Sequence, residues 1–376
     1  MFKRRKLKKI LFLIHDLGQG GAEKVLINLV NNMDKTKFDI TVMSLFDVGE
    51  NKRFLNPDVK YKYCFKSMPR GNSHMMKLLS SKQLHKWLIK DDYDIEVAYL
   101  EGPCTRIIAG CRNPHTKLVS WVHIEQKTEK IASISYRNVK EAVQCYGRFD
   151  NVVAVSQTVK EDLLSVLPIK NNVEVLYNTN ESEKIKEISK EELDIKLSKD
   201  KTNIVGVGKL LDNKGFERLI EIVKKLKDQK YNLNLYILGS GPNQHKLENM
   251  IKTYKLEDDV QLLGYQINPY KYISKCDLFV CASYAEGFST AATEALILGV
   301  PVCTVEVSGM KEMLGENNEY GIVVPNKDEE LYKGIKSLLD SPEKLKDYKE
   351  RAKKRGEVFS ISKTVKAVEE MLEGLG

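Results

Sequence analysis

The feature that most constrains this chain is an alternation that runs along it twice. Short, nearly continuous apolar runs at residues 9–14, 38–45, 95–100, 117–122, 152–155 and 173–176 are separated by longer segments of helical periodicity, among them 22–33, 128–146 and 158–166. Runs rich in β-branched residues, without polar alternation, predict strands covered on both faces. Strand and helix in repeated alternation predict a parallel α/β sheet.

From Asn178 to Thr202 the texture changes to Lys, Glu, Ser and Asn with scattered apolar residues, which reads as a connection between two domains. The alternation then restarts, with strands expected at 204–207, 233–238, 260–262, 278–281 and 300–303 and helices near 216–228, 242–254 and 290–298. A second doubly wound domain is therefore expected. Helical patterns at 329–339, 342–359 and 364–375 close the chain, with no further strand expected. The length of 376 residues also predicts two domains, each able to bury its own core. The boundaries read as 1–180, 200–358 and a C-terminal helix at 359–376 that is free to return to the N-terminal domain. In such sheets ligands sit at the carboxyl ends of the strands, so the residues just beyond them are the candidates for function.

Charge narrows the partners. The 60 Lys and Arg against 52 Asp and Glu leave +8, of which Lys3, Arg4, Arg5, Lys6, Lys8 and Lys9 supply six. The remainder is nearly neutral, which argues against a nucleic-acid binder and leaves either a solubilising tail or an arm for an anionic surface. Residues 66–90 carry Lys66, Arg70, Lys77, Lys82, Lys86 and Lys90 with no acidic residue, beside Met75, Met76, Leu78, Leu79, Leu84, Trp87 and Leu88. The pattern fits an interfacial basic amphipathic helix, or a helix that packs its Leu and Trp face into the first domain. No apolar run reaches the ~20 residues of a spanning helix, and the run at 10–14 is too short for the core of a signal peptide. A cytoplasmic protein is expected. Seven cysteines without a C-x-x-C pair, and six histidines without H-x-x-x-H or H-E-x-x-H spacing, predict reduced thiols and no zinc site.

Three loops could carry chemistry. The first expected strand runs into His15-Asp16-Leu17-Gly18-Gln19-Gly20-Gly21-Ala22-Glu23, a Gly-rich turn that opens a helix and lets backbone N–H groups approach an anion. Glu23 stands where G-x-G-x-x-G needs its third glycine, so a nicotinamide dinucleotide site has little support, although Asp47 after the second strand keeps it open. The second domain opens with Gly208-Lys209-Leu210 through Lys214-Gly215, where two cations five residues apart can grip a diphosphate or simply be solvated. After residues 278–281 comes Glu286-Gly287-Phe288-Ser289-Thr290-Ala291-Ala292-Thr293-Glu294. Ser289 or Thr290 is a good N-cap, the helix N-terminus can hold a phosphate, and two carboxylates beside it suit a polyhydroxylated ligand.

Taken together, Gly20-Gly21-Ala22-Glu23, Gly208-Lys209-Leu210 with Lys214-Gly215, the Glu286/Glu294 pair and Ser308-Gly309-Met310-Lys311-Glu312 resemble the retaining nucleotide-sugar glycosyltransferases of family 4. The resemblance covers almost the whole chain and implies the α/β GT-B fold, two facing Rossmann-like domains with a helical C-terminal tail. It implies an acceptor-binding first domain and a second domain that binds the nucleotide sugar. Lys209 and Lys214 would hold the donor diphosphate, Glu294 the ribose and Glu286 the transferred sugar. Ser289 and Thr290, with Gly287 and Phe288, would complete the phosphate site, Gly264 and Tyr265 would border the base, and Gly20 and Gly21 would approach the donor phosphates or the acceptor. His123 matches the family's active-site histidine. Two departures stand out: Lys209 where many members have Arg, which loses the bidentate fork, and Ser289 where Gly is frequent.

The expectation is a retaining hexosyl- or N-acetylhexosaminyltransferase that moves a sugar from a UDP-sugar to a glycan, in bacterial surface polysaccharide synthesis. The acceptor would be linked to polyprenyl diphosphate, and the protein peripheral on the inner face of the cell membrane. No metal is expected, since lysines and a helix N-terminus can stabilise the leaving diphosphate and the chain has no D-x-D motif. A soluble enzyme acting on a small metabolite, or a non-catalytic GT-B scaffold subunit, remain as alternatives.

Overall fold

The computed structural model describes residues 7–18, 20–67 and 76–375. Lys3, Arg4, Arg5 and Lys6 of the basic arm, together with Gln19, Arg70 and Met75, lie outside them. The chain forms two compact units, Met1–Asn180 with Ile361–Gly376, and Glu181–Ser360.

The first unit is built on strands β1 (Lys8–Ile14), β2 (Phe38–Phe46), β3 (Lys60–Phe65), β4 (Ile95–Ala98), β5 (Lys117–Val122), β6 (Asn151–Ala154) and β7 (Val173–Val175). They lie in the order β3-β2-β1-β4-β5-β6-β7, every pairing parallel. Ile10 to Ile14 are fully buried, as a strand covered on both faces must be. The strand β3 was not foreseen, because its sequence KYKYCF alternates lysine with aromatic residues and none of it is buried at the sheet edge. Charged side chains there keep an edge from pairing with another chain.

The expected helix at 128–146 is two, Glu129–Ala132 and Val139–Tyr146. The second begins afresh at Asn138, whose side chain accepts from the Glu141 N–H at 2.9 Å. The final helix, Ile361–Gly374, belongs to this unit. Its Glu369 accepts from the Asp34 N–H at 2.6 Å, and Glu373 pairs with Lys37 at 2.7 Å.

The second unit holds β8 (Thr202–Val207), β9 (Leu233–Leu238), β10 (Val260–Gly264), β11 (Leu278–Cys281), β12 (Val302–Val305) and β13 (Ile322–Val324), ordered β10-β9-β8-β11-β12-β13. The three-residue β13 corrects the expectation of no further strand after residues 300–303; it is too short to stand out as an apolar run. The stretch read as a connection carries a helix, Ser182–Ile188, that is part of this unit. The unit's core includes Ile204, Leu219, Val223, Leu235, Ile237, Leu278 and Val280, all essentially inaccessible. Burying each such side chain is worth ~1.5–3 kcal/mol. Two Rossmann-like parallel sheets in one chain, with a helical C-terminal region, are the GT-B architecture.

In each sheet the order reverses once, between β1 and β4 in the first and between β8 and β11 in the second. Loops leaving the carboxyl ends of those strands diverge, and a crevice opens between them. Those two switch points are where function is to be sought.

Candidate functional site

At the switch point of the second unit, the chain leaving β8 passes Gly208 and the exposed Lys209, then a short 3-10 turn, Asp212–Lys214. Gly215 follows with φ +65, and a Cβ there would stand 2.0 Å from the Ala282 carbonyl oxygen beyond β11. Only glycine lets the two loops approach so closely. The approach brings Lys214 Nζ to 2.7 Å from Glu286 Oε1, on the loop that leaves β11. Ser283 Oγ donates to the same oxygen at 2.6 Å. Tyr284 N–H donates to the Asn213 carbonyl at 2.8 Å, a further tie between the loops.

The residue that fixes this arrangement is one the sequence reading passed over. Arg218, 2% exposed, donates through Nε to the Ala282 carbonyl at 2.7 Å and through a terminal nitrogen to the Ser283 carbonyl at 2.9 Å. Its guanidinium also reaches Asn326 Oδ1 at 2.8 Å and lies 4.0 Å from the centre of the Tyr284 ring. A signal was present: the helix Phe216–Asp228 buries Leu219, Ile220, Ile222 and Val223, and Arg218 sits on that same apolar face. A buried guanidinium needs acceptors in a fixed array, and two successive carbonyls of a functional loop provide one.

Ser289 is the N-cap of the helix Thr290–Ile297, with Oγ accepting from the Ala292 N–H at 3.3 Å. Thr290 is the first helical residue. Glu294, 3% exposed in the second turn, accepts from the Tyr270 hydroxyl at 3.0 Å. Gly287 is buried, and the Phe288 side chain packs against Phe359, with ring centres 5.8 Å apart. Phe288 thus anchors the loop in the core. Gly264 ends β10 with φ +68 and hands its carbonyl to the Gly239 N–H at 2.8 Å; Tyr265 beyond it is 45% exposed. In the segment 308–312, Lys311 is paired with Glu306 at 2.6 Å, and Ser308 Oγ is buried with no hydrogen-bond partner among the described residues.

In the first unit, Gly20 caps the helix Gly21–Asn32, with Glu23 in its first turn. Asp16 accepts from the Gly18 N–H at 2.8 Å and from His15 Nδ1 at 2.7 Å. His123 follows β5, buried, its ring centre 4.9 Å from that of Tyr99. Its backbone N–H donates to Glu101 Oε2 at 3.0 Å, and its Nε2 is buried without a partner among the described residues. Burial pushes the imidazole down to about 4, against a smaller opposing pull from the Tyr99 backbone. Burial likewise raises Glu101, partly offset by the His123 N–H. His123 is therefore a neutral imidazole at pH 7 with one nitrogen unsatisfied. Glu101 was not foreseen; it lies just after β4, where the rule of strand ends would have found it.

The sequence matches the model for the family described as "Glycosyl transferases group 1" over residues 186–355, and that for "Glycosyltransferase Family 4" over 19–180. It is 30% identical over 366 residues to the N-acetylgalactosamine-N,N'-diacetylbacillosaminyl-diphospho-undecaprenol 4-alpha-N-acetylgalactosaminyltransferase of Campylobacter jejuni, covering 94% of this chain and 96% of that one. It is 22% identical over 88% of both chains to the lipopolysaccharide core biosynthesis glycosyltransferase LpsD of Rhizobium meliloti. Among solved structures, Anabaena HepE in complex with UDP and glucose superposes with a TM-score of 0.76 at 20% identity, over 97% of this chain and 99% of that one.

Proposed function

The chain belongs to glycosyltransferase family 4, and from that premise we propose that it transfers a sugar, with retention, from a UDP-sugar to a lipid-linked glycan. The observation that carries the donor half of this reading is the Lys214–Glu286 pair at the switch point of the second sheet, beside the helix capped by Ser289.

In this scheme the nucleoside diphosphate leaves as an anion while positive charge develops at the anomeric carbon. Lys214, Lys209 and the first N–H groups of Thr290–Ile297 supply fixed positive potential for the departing diphosphate, which leaves the donor site no need of a metal. Glu286 holds Lys214 and Ser283 on Oε1, and Oε2 accepts from a hydroxyl of the sugar. Glu294 receives the ribose. His123 offers the lone pair of its unsatisfied Nε2 to a sugar hydroxyl. The acceptor hydroxyl adds to the face the diphosphate leaves, giving retention.

The lipid-linked acceptor is supported by the Campylobacter relative, whose name gives an undecaprenol-linked substrate, and by the surface around the helix Ser81–Leu88. That helix is shorter than the segment 66–90 and buries Leu84 and Leu88, yet it leaves Lys82, Lys86 and half of Trp87 outside. Leu78 just before it is 81% exposed. Lysines interleaved with exposed apolar side chains favour an anionic lipid surface. Among the described residues no helix is long and apolar enough to cross a membrane.

The test is metal-free calorimetric titration of the purified protein with UDP, GDP, ADP and NAD, beside Lys214→Ala. Selective binding of UDP, lost in the variant, is the expected result. Binding of none of them would overturn the catalytic reading in favour of a scaffold. Flotation with anionic vesicles, and its loss in Lys82→Glu/Lys86→Glu, tests the membrane half.

A further inference from the structure

Away from both switch points, the first unit brings three potential metal ligands together from three separate elements. His85 lies on the helix Ser81–Leu88, Glu96 is the second residue of β4, and Cys111 follows the helix Pro103–Ile108. One donor atom from each, an imidazole nitrogen, a carboxylate oxygen and a thiol sulfur, lies within 4.8 Å of the other two. Glu96 is 2% exposed and Cys111 3%. His85 Nε2 is 2.8 Å from Glu96 Oε2.

His85 pairs with Glu96 and also hydrogen-bonds the Cys111 thiol, so the imidazole ties the three groups together. The Glu96 carboxylate stands in the middle of a parallel sheet, opposite Leu11 on β1 and Leu118 on β5, where a buried charge is expensive without a partner. The turn that delivers Cys111 is fitted to the helix that delivers His85. A Cβ on Gly110 would stand 2.0 Å from the Ser81 carbonyl oxygen and 2.8 Å from His85 Cβ, so the close approach of thiol and imidazole depends on glycine. The Cys111 carbonyl is held from outside by Arg148 at 2.7 Å and Arg112 at 3.1 Å.

We propose that His85, Glu96 and Cys111 form a structural site for a borderline-soft divalent cation, Zn²⁺, with water in the fourth position. Imidazole, carboxylate and thiolate are all donors that zinc takes, and three protein ligands with a water leave the site open at one position, unlike the closed four-ligand sites of zinc fingers. On binding, the Cys111 thiol and the imidazole give up their protons to solvent, and the metal takes the thiolate, one carboxylate oxygen and one ring nitrogen. The site joins β4 to the helix Ser81–Leu88 at mid-strand, so its effect is on the stability of the first unit and not on the transfer step. Ligands at 85, 96 and 111 have no motif spacing, which is why the sequence pointed away from zinc.

The full chain, stripped with chelator and dialysed, is titrated with Zn²⁺ by calorimetry and with Co²⁺ by absorption. The expected results are one Zn²⁺ per chain, a rise in melting temperature with zinc, and a thiolate-to-cobalt charge-transfer band. Cys111→Ser removes the band and weakens Zn²⁺ at least ~10-fold, and Glu96→Gln, which keeps the shape, weakens Zn²⁺ while keeping the band. Absence of stoichiometric binding by the wild-type chain overturns the proposal. So does binding that Cys111→Ser and Glu96→Gln leave unchanged.

Discussion

The two switch points are built from opposite materials. In the second unit the groups are charged and already paired: Lys214 meets Glu286 at 2.7 Å, and the buried Arg218 pins the loop between them. In the first unit the candidate groups are buried and driven toward neutrality, His123 down and Glu101 up. The contrast teaches a division of labour. A departing diphosphate is best met by fixed positive charge that needs no reorganisation, whereas a neutral sugar hydroxyl is best met by a neutral acceptor whose own bond is still unmade.

The largest expected effect breaks the rigid side of that contrast. Arg218→Met leaves the Ala282 and Ser283 carbonyls without their donors and is expected to cost the second unit ~3–5 kcal/mol. Hydrogen exchange reads it: protection falls in β11 and in the helix Phe216–Asp228, while β1 and β4 keep theirs. Equal loss in both units would show that the two do not hold their sites independently.

Next comes the charge itself. Lys214→Ala is expected to lower turnover ~10²–10³-fold by removing a donor to the developing anion, with Lys214→Arg recovering part of it. A variant that turns over normally would remove the second switch point from the reaction.

How much of this was legible in the sequence follows the same divide. Lys214, Glu286, Ser289 and Glu294 were readable as candidates because each lies in the loop, or in the first two helical turns, that follow an apolar strand. Their partners were not: Tyr270 and Arg218 reach the site from other elements, and Ser283, on the same loop as Glu286, carries no spacing signal that ties it to that carboxylate. The buried strands were visible as apolar runs, but the lysine-bearing edge strand β3 and the three-residue β13 were not, since neither has a long apolar signature. Likewise His85, Glu96 and Cys111 meet only once the sheet is folded.

The neutral side of the contrast is tested by pH. An imidazole titrating near 4 in the folded chain and near its ordinary 6.5 in the unfolded one favours the unfolded state as acid is added. The stability is complete above 6.5, falls between 6.5 and 4, and the loss levels off below 4 at up to ~3 kcal/mol. His123→Phe should flatten that part of the profile, and the His123 ring should give no NMR titration between pH 5 and 8. A midpoint near 6.5 would mean that His123 is solvated, and the division between the two sites would fail.

The smallest effect sharpens the comparison, because each unit has a serine cap that makes the same hydrogen bond. Ser156 accepts from the Val159 N–H at 3.2 Å at the start of Gln157–Val166 in the first unit, as Ser289 does from Ala292 at 3.3 Å in the second. Either serine changed to Ala should cost ~1 kcal/mol of stability, measured by denaturant titration. If only the second of these helices receives a phosphate, then Ser289→Ala should also change UDP affinity in calorimetry, by loosening the N–H groups that hold the anion, while Ser156→Ala leaves it as it was. Equal effects on affinity would mean that the cap acts through stability alone, and that the diphosphate is held by the lysines without the helix.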